Sequence, residues 1–154
     1  HAGDEGGMMH GISAMSGTFA ELTDWAVPYA ASGAISAGAY TDYSSNTVFF
    51  GDATGRVYAV LEDKTDMAGF PLLMADASVI NSVPLPTGGL IYIGNNNGKL
   101  FLIDESAASV YRTYNFGTGV KISSVAKDPD TSRILIGTDT GKVYYIAQDS
   151  DPTP

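Results

Sequence analysis

Short apolar runs that end on a glycine recur along the chain. The segments NTVFFG (46–51), GLIYIG (89–94) and RILIG (133–137) are rich in β-branched and aromatic residues, which predicts short strands. Each is followed by four turn-forming residues, DATG, NNNG or TDTG, and then by a second apolar run, RVYAVL, KLFLI or KVYYI. The pattern predicts a β-hairpin. Its last turn residue, Gly55, Gly98 or Gly141, suits the left-handed position that closes such a turn, and Asp52 and Asn95 are placed to bond the backbone two residues on.

The hairpins keep a fixed step. Gly51, Gly94 and Gly137 are 43 residues apart, as are Gly55, Gly98 and Gly141. An aromatic column (Tyr58, Phe101, Tyr144) and aliphatic columns (Val57, Leu100, Val143; Val60, Ile103, Ile146) share that step. A looser copy, Gly3-Asp4-Glu5-Gly6-Gly7 before Met8, Met9, His10 and Ile12, lies 48 residues upstream of the one at Gly51. Ahead of each later hairpin a further strand is predicted, in GAISAGAY (33–40), SVINSVPL (78–85) and VKISSVAK (120–127). A more polar fourth strand is predicted after it, in FAELTDWAV (19–27) and SVYRTYNF (109–116).

Four short strands in about 43 residues is the pattern of a propeller blade. The expected fold is all-β: a β-propeller of four-stranded antiparallel blades, about three and a half of them. Residues 1–147 form one segment, with repeats at 3–32, 33–77, 78–119 and 120–147, and residues 148–154 form a polar tail. The strand with small residues Ser36, Ala37, Ser82 and Ser124 is expected innermost, where blades converge. An arc of this length exposes strand edges and apolar flanks, so another copy, a separate polypeptide or further parts of the parent protein are expected to cover them. The start at His1 rather than at a methionine fits a processed or excised piece.

VFFGDATGRVYAV and its copies resemble the β-propeller repeat of the quinoprotein (PQQ) dehydrogenase-like superfamily, in which a strand, a glycine turn and a Tyr-Ala strand follow one another. GGMMHGISAMSGT (6–18) is similar to a phrase in the propellers of type IV pilus tip adhesins. The resemblance implies a propeller that hosts enzymes, scaffolds and adhesins alike. It implies pyrroloquinoline quinone and Ca²⁺ only for the dehydrogenases, whose adjacent cysteine pair is missing from this cysteine-free sequence. Blades of that family place a tryptophan soon after the turn. Here the single tryptophan, Trp25, comes late, and Phe19, Phe70 and Tyr114 are expected to dock blade on blade instead.

Composition narrows the function classes. A net charge of −9 repels phosphate backbones, which argues against nucleic acid, and no apolar run is long enough for a membrane span. Without cysteine there are no disulfides and no thiolate metal sites. The sequence assigns no catalytic, cofactor or metal residue. The repeated turns bring Asp4, Glu5, Asp52, Asn95, Asn96, Asn97 and Asp139 to one rim, as candidate interaction residues. A Ca²⁺ ion on their oxygens is the sharper alternative, and turn-making the plainer one. Gly51, Gly55, Gly94, Gly98, Gly137 and Gly141 read as structural, and His10 reads as a packed member of the aromatic column. Three functions follow: a non-catalytic scaffold or adhesive module of an exported, cell-surface or periplasmic protein; a structural subunit whose ring another chain completes; and a fragment of a quinone-dependent dehydrogenase. The expected partner is a protein or a second copy of the chain.

Overall fold

The computed structural model describes residues 1–13, 20–22 and 25–147. Among them the extended elements are strands, with a 3₁₀ turn at Trp25, and all strand pairing is antiparallel. The first sheet contains β1 (Ala2–Gly3) and β2 (Met8–His10). A small hairpin of β3 (Ile12–Ser13) and β4 (Ala20–Glu21) follows, and then β5 (Tyr29–Ala30) returns to pair with β2. The second sheet has four strands in sequence order: β6 (Tyr40–Asp42), β7 (Thr47–Gly51), β8 (Arg56–Leu61) and β9 (Leu72–Leu73). The third repeats this order with β10 (Leu85–Thr87), β11 (Leu90–Gly94), β12 (Lys99–Asp104) and β13 (Ser109–Asn115). The fourth holds β14 (Ile122–Lys127), β15 (Ile134–Thr138) and β16 (Val143–Ile146). These are four blade-like sheets in an open ring.

Side chains alternate across each strand, so every sheet has a leading face toward its predecessor and a trailing face toward its successor. Between the first and second sheets lie Met9, Trp25, Ile35, Val48, Phe50, Tyr58 and Val60. Between the second and third lie Phe49, Val57 and Ala59 from one side and Ile91, Ile93, Phe101 and Ile103 from the other. Between the third and fourth lie Tyr92, Leu100 and Leu102, then Ile122, Ile134, Ile136 and Ile146. Strand β7 is buried along its whole length because both of its faces are used. Burying a large apolar side chain completely stabilises by about 1.5–3 kcal/mol, so these interfaces are the principal cohesion of the arc.

A repeated main-chain link joins the sheets. Ile35 N–H donates to the Asp4 carbonyl (2.9 Å), Ile80 N–H to Asp52 (3.0 Å) and Ile122 N–H to Asn95 (3.1 Å). The residue before each isoleucine reaches the other way: Ala34, Val79 and Lys121 carbonyls accept from Ala53, Asn96 and Asp139 N–H at 2.8, 2.9 and 3.0 Å. Each lead-in dipeptide therefore staples the hairpin turn of one sheet to that of the next. The isoleucine side chain lies against a repeat glycine. A Cβ built on Gly3, Gly51 or Gly94 would sit 2.2 Å from Cγ2 of Ile35, Ile80 or Ile122. These glycines are there for close approach.

Three expectations need correction. The strand expected over 33–40 is confined to Tyr40–Asp42, and that over 78–85 to Leu85–Thr87, with Ile80 making one isolated bridge to Asn95. The cause is the staple: residues 34–35 and 79–80 span neighbouring turns before pairing begins. The fourth strand of the first unit is Tyr29–Ala30, because the chain at Ala20–Glu21 pairs with Ile12–Ser13 instead. Docking of the first two sheets uses Trp25 after all, 2% exposed, while Phe70 and Tyr114 serve the later interfaces as expected. Phe19, Met15 and the tail 148–154 lie outside the described residues.

Candidate functional site

The rim of repeat turns is built one turn at a time. In the second sheet Asp52 is fully buried. Its Oδ1 accepts from Thr54 N–H (2.9 Å), Thr54 Oγ1–H (2.7 Å) and Arg56 N–H (3.0 Å), and its Oδ2 from the Tyr58 hydroxyl (2.8 Å). Tyr58 in turn accepts from Ser32 N–H (2.8 Å), which ties the turn to the chain leaving the first sheet. Burial raises the Tyr58 pKa, and the donated bond to Asp52 adds to the rise.

Asn95 does the same work in the third sheet, its Oδ1 accepting from Asn97 N–H (3.0 Å) and Lys99 N–H (2.9 Å). Its Nδ2 donates to both oxygens of Asp76 at 3.1 Å, where Asn97 Nδ2 (3.3 Å) and Lys99 Nζ (3.1 Å) also converge. Burial pushes the Asp76 carboxyl upward, but the Lys99 ammonium and the two amides outweigh it and leave the pKa lowered.

The first sheet repeats the geometry with different chemistry. Asp4 Oδ1 accepts from Met8 N–H (2.8 Å), and Asp4 Oδ2 meets His10 Nε2 at 3.1 Å. The Met8 N–H and then His10 hold the Asp4 carboxyl below its ordinary value. His10 thus occupies the aromatic column and makes to Asp4 the bond that Tyr58 makes to Asp52. In the fourth sheet Thr138 replaces the acid and donates its hydroxyl to the Lys142 carbonyl at 3.1 Å. The turn-closing glycines Gly7, Gly55, Gly98 and Gly141 all have positive φ, between 70° and 82°, as the turn chemistry requires.

The candidate residues are therefore strung along the rim in two kinds of position. Asp52 and Asn95 point inward and are consumed by their own turns. Glu5 and Asp139 are exposed and Asn96 and Asn97 half-buried, and Asp139 also accepts from Lys121 N–H at 2.8 Å. They do not converge on a point. Among the described residues no group of three or more His, Cys, Asp or Glu is placed to hold a metal ion.

Two further features stand apart from that rim. On the opposite rim, Asp42, Asp63, Asp104 and Asp128 each accept the N–H two residues on, at 2.8–3.0 Å; the hydroxyls of Ser44, Thr65 and Thr131 and the Ala107 N–H, foremost in turn for Asp42, Asp63, Asp128 and Asp104, lower the four carboxyls together with those bonds. Asp followed by a Ser, Thr or Asp two residues later was the available signal. A cavity of about 270 Å³ also opens beside Trp25, lined by His1, Leu22, Thr41, Tyr43 and Glu62 among others. No spacing in the sequence joins those residues.

A further surface is the trailing face of the fourth sheet. Its columns continue those of Phe49 and Tyr92, and of Val57 and Leu100, all 0% exposed; here they are Leu135 at 37% and Val143 at 64%.

No family model matches the chain, and no curated protein does. The solved structures do. The computationally designed Ika4 protein superimposes with a TM-score of 0.69 at 15% identity, over 94% of this chain and 81% of that one. BamB from Moraxella catarrhalis superimposes with a TM-score of 0.66 at 16% identity, over 99% of this chain and 51% of BamB. The shared property is the fold. The chain spans about half the length of BamB and about four-fifths of the length of the Ika4 protein.

Proposed function

We propose that this chain is a non-catalytic structural subunit: an arc of propeller sheets whose ring is completed by another chain, with the rims of turns offered for protein contact. The carrying observation is the exposed trailing face of the fourth sheet, where Leu135 and Val143 occupy columns that are sealed in the two sheets before it. An architecture that is stabilised by sheet-on-sheet burial gains from covering that face.

An enzymatic role draws no support from the residues. His10 is engaged with Asp4, and the acidic side chains are spread over separate turns rather than gathered around one reacting position. The resemblance to quinone-dependent dehydrogenases is thus a resemblance of repeat, not of site. The acidic composition and the adhesin-like phrase at 6–18 support an exported, surface or periplasmic setting.

The test is native mass. Analytical ultracentrifugation of the chain, alone and with soluble protein from its source, is expected to show it within a larger species from which Leu135→Glu with Val143→Glu releases it. A solitary, cooperatively folding chain in both samples overturns the reading.

A further inference from the structure

One of the four repeat turns closes differently from the rest. In three of them the N–H of the last glycine returns to the carbonyl of the first turn residue: Gly7 to Asp4 (3.1 Å), Gly55 to Asp52 (3.3 Å) and Gly141 to Thr138 (3.2 Å). Gly98 shares their left-handed φ, at 70°, but its N–H makes no hydrogen bond among the described residues. The Asn95 carbonyl accepts from Ile122 N–H alone, whereas those of Asp4 and Asp52 accept from both sides. This is also the turn in which the last glycine follows an asparagine, and Asn97-Gly98 is the single Asn-Gly pair of the chain.

The coincidence is chemical. An asparagine side chain carries its carbonyl carbon within reach of the next residue's nitrogen, and the five-membered ring closes most readily when that residue has no side chain and its N–H is not engaged. Asn97 is half-buried, its own N–H on Asn95 Oδ1 (3.0 Å) and its Nδ2 on Asp76 Oδ2 (3.3 Å). Gly98 is covered over its Cα, where a Cβ would lie 2.2 Å from the Gly117 carbonyl oxygen, so the fold itself demands glycine there.

We propose that Asn97 is a site of self-modification. Gly98 N gives its proton to hydroxide and attacks Asn97 Cγ; the N–Cγ bond forms, the Cγ–Nδ2 bond breaks, and the amide nitrogen leaves as ammonia with a proton from water. Water then opens the succinimide at either carbonyl, which yields aspartate or an isomer whose main chain runs through the former side chain. One amide and one water become one acid and one ammonia. Either product sets a carboxylate beside Asp76, which also receives Asn95 Nδ2 and Lys99 Nζ. The two like charges repel, which loosens the segment leaving the second sheet from the turn of the third. The isomer also displaces Gly98, whose carbonyl receives Phe116 N–H at 2.7 Å.

The reaction is followed on the folded chain without any partner, from fragment masses of the intact protein. Conversion is expected at Asn97 ahead of Asn46, Asn81, Asn95, Asn96 and Asn115, with the isomer among the products. Its rate is expected to rise about tenfold per pH unit through neutrality, because the attacking nitrogen must first lose a proton. Asn97→Thr, the residue found at this position as Thr54 and Thr140, is expected to fold and to abolish the conversion. Thr140→Asn sets the same pair in the fourth sheet, where Gly141 N–H is held, and conversion there is expected to be slower although position 140 is exposed. An Asn97 that outlasts the other asparagines, or conversion at 140 as fast as at 97, overturns the inference. Asn97→Asp is expected to lower the urea midpoint at neutral pH and Asp76→Asn to restore part of the loss; an unmoved midpoint refutes the link to Asp76.

Discussion

Gly94→Ala is the most direct test of how the arc is held together. The new Cβ would lie 2.2 Å from Ile122 Cγ2, 2.3 Å from its Cβ and 3.1 Å from its Cγ1, against a comfortable carbon–carbon separation of about 3.5–4.0 Å. No single rotamer of Ile122 relieves this, because its Cβ is itself within the overlap. The fourth sheet has to retreat from the third by more than an ångström, which stretches the bond from Ile122 N–H to the Asn95 carbonyl. Overpacking of this kind costs about 1–3 kcal/mol, and loss of the hydrogen bond about 1 kcal/mol more. Against it stands about 0.4–1 kcal/mol from the stiffer unfolded chain. Gly94 has ordinary strand dihedrals, so no conformational penalty enters. The net expectation is a loss of about 1–3 kcal/mol.

The companion variant decides the cause. Ile122→Ala alone removes a fully buried side chain and costs about 2–5 kcal/mol. In the double variant the methyl at 94 occupies space the isoleucine has left, so the two losses fall short of additivity by about 1 kcal/mol or more. Urea unfolding followed by far-ultraviolet circular dichroism gives all four corners of the cycle. A neutral Gly94→Ala, or two strictly additive losses, would refute the close-approach role of Gly94.

Other expectations follow from the turns. Asp52→Ala leaves the half-buried N–H groups of Thr54 and Arg56 and the buried Tyr58 hydroxyl without their acceptor and is expected to cost at least about 2 kcal/mol in urea unfolding, whereas Asp52→Asn keeps the acceptor of the two N–H groups, as Asn95 does one repeat on, and is expected to cost under about 1 kcal/mol. Asp76 has a lowered pKa, so its contribution is present above the unfolded value of 3.8 and is lost as pH falls below it toward the folded value; Asp76→Asn is expected to flatten the acid limb of a stability–pH profile. Glu5→Lys, on an exposed turn position, is expected to leave stability within about 0.5 kcal/mol while weakening any partner that reads this rim, measured by retention on the immobilised protein.

The repeat was legible because its columns are defined by steric need. A glycine where an isoleucine crosses, a left-handed glycine where the turn closes, and apolar residues on both faces of β7, β8, β11 and β12 all leave marks in composition. The inner strands were less so. Asn81 and Ser82 N–H both turn to the Gly94 carbonyl, at 3.3 and 3.4 Å, and the register of the fourth sheet shifts between Ile122 and Ser124. An irregularity therefore sits where the lead-in becomes a strand in the third and fourth sheets, and the alternating pattern of SVINSVPL gives no sign of it. The fourth strand expected in FAELTDWAV failed differently: the segment carries strand-like composition, but the inserted hairpin takes up Ala20–Glu21 before the chain returns to its sheet. Which rim residues face inward was not legible either, because Asp at position 52 and Asp at position 139 look alike until the turn is built.

That last ambiguity separates structure from function on this rim. The position directly after each repeat glycine holds Asp4, Asp52, Asn95 and Thr138, four residues that differ in charge and share an oxygen used by the turn itself. Charge there is incidental, and a partner cannot read what Asp52 and Asn95 bury. The next position holds Glu5, Ala53, Asn96 and Asp139. The last three give their backbone N–H to a lead-in carbonyl, which any residue but proline does equally well. The fold therefore places little demand on those side chains beyond the bond that Asp139 accepts from Lys121 N–H, and Glu5 and Asp139 are exposed. Whatever this rim says to a partner is written in that second column, one side chain per sheet, at a spacing set by the staples beneath it.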